Sequence, residues 1–103
     1  PNPPPVDTAA ALECLKNLQP RVYERLDDPG KSRIGFIAQQ VAAACPGDGS
    51  WANLVGTADY HPSGVEGETR TIATVDYARL NCVLWQCCRS LLARVEALEA
   101  AAP

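Results

Sequence analysis

Positive charge is not in excess in this sequence. Nine Lys and Arg stand against twelve Asp and Glu in 103 residues, a net charge of -3. That balance leaves no electrostatic footprint for phosphate backbones or anionic lipid, so neither nucleic acid nor membrane is expected as a partner. No apolar run approaches the roughly 20 residues of a bilayer span, and the first residues are proline-rich rather than basic-then-apolar like a signal peptide, so a soluble chain without a visible address is expected. There is one histidine, and no CxxC pair occurs. A zinc site would have to be improvised from Cys82, Cys87, Cys88 and the distant His61, which fits no familiar ligand spacing, and no metal or other cofactor is expected. With no nucleophile visibly paired with it, His61 reads as a solvated loop histidine rather than a base.

What is present suits one small domain, 47% apolar, with a modest core. The odd count of five cysteines, Cys14, Cys45, Cys82, Cys87 and Cys88, falls at apolar positions of expected helices. Reduced cysteines acting as small hydrophobes, in a reducing compartment, are expected. The opening Pro1 to Pro5 reads as an extended junction. Asp7 can cap a helix carrying Leu12, Leu15 and Leu18 at helical spacing, which Pro20 ends.

Arg21 to Leu26 alternates as a strand with one partly buried face, and Asp27-Asp28-Pro29-Gly30 supplies a turn. Arg33 to Ile37 is a strand running into a helix with Ala38, Val41, Ala42 and Cys45 on one face, before Pro46-Gly47. Leu54-Val55 and Thr69 to Val75 read as two strands joined by a loose polar loop, Asp59 to Glu68, containing Pro62, Gly64 and Gly67.

The last element is the best specified. Asp76 can cap a helix reaching Ala102, with Val75 before the cap and Leu80 inside the helix as a hydrophobic staple. Leu84, Cys88, Leu91, Val95 and Leu98 then recur at alternating spacings of four and three, the 3.5-residue average of a coiled coil. In that register Arg94 is a g position and Glu99 the e position five residues on, placed for an interchain ion pair. At roughly 39 Å the helix is longer than a small domain needs. The same stripe also reads as a helix lying on its own core, because Leu80, Val83, Cys87 and Leu92 form a second apolar face. Docked first turns and a projecting stripe from Leu91 onward satisfy both readings.

Taken in order, the chain carries Ala11-Leu12-Glu13-Cys14-Leu15 in its first helix and Val22-Tyr23 in a strand. Gly35-Phe36-Ile37-Ala38-Gln39-Gln40-Val41 follows at a strand-to-helix joint, then Leu54-Val55, and then Val75-Asp76-Tyr77 with Leu80 at the start of the long helix. This resembles the C-terminal intramolecular chaperone domain of phage tailspikes, endosialidases and tail fibres, the S74 self-cleaving peptidase family. The resemblance spans nearly the whole chain. It implies an α+β fold, with short helices and a few antiparallel strands in a globular part over residues 1–75 (1–5 the junction), followed by a helix over 76–102 that forms a trimeric coiled coil.

The implied function is to trimerise, to bring three copies of an upstream β-rich fibre or spike into register, and then to be cut away. The implied partners are two further copies and the upstream domain of the same polypeptide, and the implied setting is a virion fibre or spike precursor assembled in the host cytoplasm. Family members cut themselves with a Ser and a Lys just before the first helix, the lysine activating the serine hydroxyl. Aligning Asp7 and Ala-Leu-Glu with that helix places the dyad upstream of Pro1. Ser32, Ser50, Ser63 and Ser90, with Lys16 and Lys31, do not occupy those positions, so no catalytic residue is expected in this chain. An active self-cleaving peptidase when the upstream residues are present, and a coiled-coil adaptor for another protein, are the alternatives. Milder departures are Gln40 in place of Glu, Asn81-Cys82 early in the last helix, and Cys87-Cys88 beside Trp85, for which unoxidised packing is expected.

Overall fold

The computed structural model describes residues 2–62 and 67–103. Pro1 of the expected junction, and Ser63 and Gly64 of the expected polar loop, lie outside the described residues. The chain runs α1 (Thr8–Asn17), β1 (Arg21–Arg25), β2 (Asp28–Gly35), α2 (Ala38–Ala44), a 3-10 helix (Gly49–Leu54), β3 (Val55–Tyr60), β4 (Arg70–Val75) and α3 (Tyr77–Ala101). The strands make two separate antiparallel ribbons, β1 with β2 and β3 with β4. The architecture is α+β with a long C-terminal helix, as the sequence leads one to expect.

Both expected caps form. The Asp7 carboxylate accepts the Ala10 amide at 3.2 Å and the Asp76 carboxylate accepts the Arg79 amide at 3.0 Å. Each satisfies one of the first-turn amides that the helix itself leaves without a partner. Where Asp76 caps α3, its own amide donates to the Leu54 carbonyl at 2.9 Å. This bond ties the start of the long helix to the 3-10 segment, an element that no period in the sequence signals.

The β1–β2 turn corrects the sequence reading. The strands are joined by Leu26 and Asp27 alone, and Asp28, Pro29 and Gly30 already belong to β2. Arg25 grips Asp27 with two bonds, Nε to Oδ1 and Nη2 to Oδ2, each 2.8 Å, and so closes the turn early. The pairing then shifts register between Glu24 and Arg25. Gly30, at φ +89°, takes up this irregularity in a conformation that a side chain would resist, and donates its amide to the Glu24 carboxylate at 2.9 Å. The partly buried face of β1 carries Tyr23 and Arg25, while Val22 and Leu26 point outward, with Ile34 opposite Val22.

The core lies where α1, α2 and the first half of α3 meet. Ala11, Cys14, Val41, Cys45, Leu54, Leu80, Val83 and Cys87 form one buried cluster, with Phe36, Trp51, Val55 and Val75 packed around it. Three details differ from expectation. On α1, Ala11 and Cys14 are fully buried rather than Leu15, because small side chains let the helix approach α3 closely. On α2, Ala42 is exposed while Ala38, Val41 and Cys45 turn inward. And Cys14 is joined to Cys45 in a disulfide across a separation of 31 residues, with Cα atoms 5.1 Å apart. The expectation of five reduced cysteines therefore fails for this pair, whose two helices meet inside the core. Cys87 alone among the other three is buried; Cys82 and Cys88 are exposed.

Candidate self-association surface

The two motifs that carry the family resemblance are brought together by the fold. Gly35 ends β2, Ala38 begins α2, and Tyr77 is the first residue of α3 after its Asp76 cap. The Tyr77 hydroxyl accepts the Phe36 amide at 2.9 Å, lies 3.5 Å from the Tyr23 hydroxyl, and the Phe36 and Tyr77 rings stack at 6.2 Å between centroids. A Cβ at Gly35 would overlap the Tyr77 hydroxyl and crowd the Tyr23 ring. Glycine is required there by close approach. The bond to Tyr77, and then burial, push the Tyr23 phenol above its ordinary range. Of the motif residues, Ala38 and Val41 are buried, Ile37 and Val75 half-buried, and Gln39 exposed. These residues fix where α3 starts and in which direction it leaves the globular part.

Along α3 the side chains divide into two faces. Leu80, Val83 and Cys87 face the core, and the Cys87 thiol donates to the Ala11 carbonyl at 3.1 Å. Burial pushes that thiol's pKa up, as expected for a cysteine serving as a packing group rather than a nucleophile. Gln86 donates to the Thr8 hydroxyl at 2.7 Å, a second tie from α3 to α1. Leu92, expected on the docking face, is instead 59% exposed, because five residues on from Cys87 it has turned about 140° around the helix, away from the face that α1 covers.

The heptad residues occupy the other face. Leu84, Leu91, Val95 and Leu98 are all large apolar side chains exposed in a single chain, Leu98 to 72%, and Cys88 is exposed between them. From Leu91 to Ala101 every residue of α3 is exposed, Arg94 and Glu99 included. The helix of 25 residues is about 37 Å long, so its last turns stand clear of the globular part. An apolar stripe of this kind, continuous along a free helix, is the candidate association surface of the chain. Sequence reasoning found the stripe. It missed Trp85, 67% exposed beside it, which falls at the e position of the same heptad register.

Elsewhere the chemistry is sparse. Lys31 and Ser32 are adjacent, exposed residues of β2, Lys16 sits in the last turn of α1, Ser50 in the 3-10 helix and Ser90 within α3. His61 is exposed, with Nδ1 3.2 Å from the Glu68 carbonyl. No group of metal-ligating residues occurs among the described residues, and no helix among them is long and apolar enough to cross a membrane.

No curated protein and no solved structure matches the chain at a significant level. Residues 2–50 match the family Peptidase_S74, described as chaperone of endosialidase. That segment, just under half of the chain, contains the first helix, β1, β2 and the Gly35 to Val41 joint; over it the chain is similar to the chaperone-of-endosialidase family, and the match does not extend to Val75-Asp76-Tyr77 or α3.

Proposed function

We propose that this chain is a trimerising intramolecular chaperone that follows a β-rich fibre or spike protein in a longer polypeptide and sets three copies of it in register. The observation that carries this reading is the apolar stripe from Leu84 to Leu98, exposed along a helix whose first turns are locked to their own core. Intertwined β-structure has high contact order, so loop-closure and association entropy are lost before its contacts form. A helical trimer forming first raises the effective concentration of the three upstream chains and aligns their ends. Because α3 leaves through the Asp76 cap and the Tyr77 contact to Phe36, that alignment is transmitted from helix to globular part without a loose joint.

The trimer is parallel, with Arg94 of one helix pairing with Glu99 of the next. The protein belongs to a virion fibre or spike precursor assembled in a host cytoplasm, and it is released by a Ser-Lys dyad carried upstream of these residues. Sedimentation equilibrium of the 103-residue chain tests the central point: a trimer at micromolar concentration is expected, and a monomer sinks the proposal. Cleavage is tested separately, by expressing the chain with its upstream sequence, with and without the candidate serine. An uncut product in both removes self-release.

A further inference from the structure

Beside the heptad stripe lies an apolar groove of about 640 Å³ between α1 and α3, walled by Leu15 and Leu18 on one side and by Leu80, Val83, Leu84 and Cys87 on the other. Leu84 belongs both to this groove and to the stripe, so the groove is continuous with the proposed seam. In the register that puts Leu84 at d and Cys88 at a, Leu80 and Cys87 are g positions, and the groove therefore lies on the g side of the helix. Trp85 and Leu92 are e positions on the opposite side, 67% and 59% exposed. In a parallel coiled coil the g residue of one helix meets the e residue five positions on in its neighbour. Trp85 then comes level with Leu80 and Leu92 with Cys87 of the neighbour; those two are covered by their own α1, at 7% and 1% exposure, so what the neighbour presents there is the groove beside them, while Arg94 meets Glu99.

We infer that Trp85 of each copy inserts into the α1–α3 groove of the next copy, with Leu92 closing its far end. The inference rests on the trimeric reading above and adds the element that reading lacks. The seam alone is about two heptads, a short coiled coil. Seating an indole on Leu15 and Leu18 extends the interface from helix against helix to helix against the neighbour's globular part. A buried aromatic anchor in an apolar pocket is the usual centre of interface energy. It also couples assembly to folding, because the groove exists only where α1 is docked on α3.

The test uses the full chain in a Trp51→Phe background, so that Trp85 is the one remaining tryptophan, with emission and sedimentation followed over a dilution series. The expected result is a blue-shifted Trp85 emission in the trimer that moves to the solvent-exposed value as the trimer dissociates. Leu15→Lys, on the groove wall and outside the seam, weakens self-association by about tenfold or more, as does Trp85→Ser in the parent chain, and the double variant loses little beyond either single change. A trimer whose Trp85 emission is that of exposed indole, and which tolerates Leu15→Lys, overturns the inference and leaves the trimeric reading standing. A chain that stays monomeric at every concentration overturns both. Circular dichroism of each variant monomer separates lost assembly from lost folding: a Leu15→Lys chain that keeps its helix content but not its trimer supports the inference, and one whose trimer survives counts against it.

Discussion

The Tyr77 hydroxyl accepts the Phe36 amide hydrogen across 41 positions of sequence, and this single bond joins the strand-to-helix joint at Gly35 to the start of α3. It also explains Gly35. The hydroxyl occupies the space where a Cβ would sit, so the glycine and the tyrosine are two halves of one packing solution.

Gly35→Ala should therefore destabilise the chain by about 1–3 kcal/mol, the usual cost of forcing an extra carbon into a packed site. The cost should fall sharply in a Tyr77→Phe background, where the obstructing oxygen is gone, although Phe36 then loses its acceptor. A double-mutant cycle by urea denaturation reads the coupling. Additive losses would show that Tyr77 is not what excludes a side chain at position 35.

The Asp76 carboxylate is held below its ordinary pKa, first by the Arg79 amide and then by the Arg79 guanidinium. Its folded value lies below its unfolded value, so the stabilisation is fully present above the unfolded value of about 3.9 and is lost as pH falls through the folded value. Asp76→Asn keeps a capping oxygen and removes the charge. The stability gap between parent and Asp76→Asn should be constant near neutrality and should close on acidification below about pH 4. A gap that persists at the acid end would assign the effect to something other than the carboxylate charge.

Cys14 and Cys45 close a loop with a sequence separation of 31, and constraining the unfolded chain over that length is worth about 3–4 kcal/mol in the chain-entropy model. Alkylation under denaturing, non-reducing conditions should label the three free cysteines, Cys82, Cys87 and Cys88, and reduction should expose two more while lowering the thermal midpoint. Five labels before reduction would mean that the pair is present as thiols and that α1 and α2 are held by packing alone.

How far the sequence reached depends on the range of the interaction concerned. The Asp7 and Asp76 caps are legible because cap and amide are three residues apart, and the α3 stripe because its period repeats. The turn at Asp27 to Gly30 is misread because the composition fits a turn equally well. Only the Arg25 grip on Asp27 and the Glu24 bond to the Gly30 amide decide that the chain turns earlier and irregularly. The Cys14–Cys45 bond and the Gly35–Tyr77 contact are non-local, and no local pattern announces which distant residue arrives. Likewise Leu92 reads as part of the apolar face of Leu80, Val83 and Cys87, but it lies about 120° around the helix from Leu80, and the structure leaves it exposed.

The two faces of α3 can be separated by a pair of substitutions that are chemically alike. Leu80 is buried against its own core at 7% exposure, whereas Leu91, eleven positions on, is 42% exposed in a single chain. Leu80→Ala should cost about 2–5 kcal/mol of folding stability through the cavity it leaves, measurable in the monomer at high dilution. Leu91→Ala removes contacts that a single chain does not make, so the diluted monomer should unfold as the parent does. At higher concentration the order reverses in character: Leu91→Ala lowers the concentration dependence of the thermal midpoint, because subunit association stabilises only the folded form that can associate. Leu91→Asp should abolish that dependence, since an apolar seam cannot seat a carboxylate without a partner. If Leu91→Asp instead lowers the stability of the dilute monomer as much as Leu80→Ala does, the stripe packs within its own chain and is not a seam between copies.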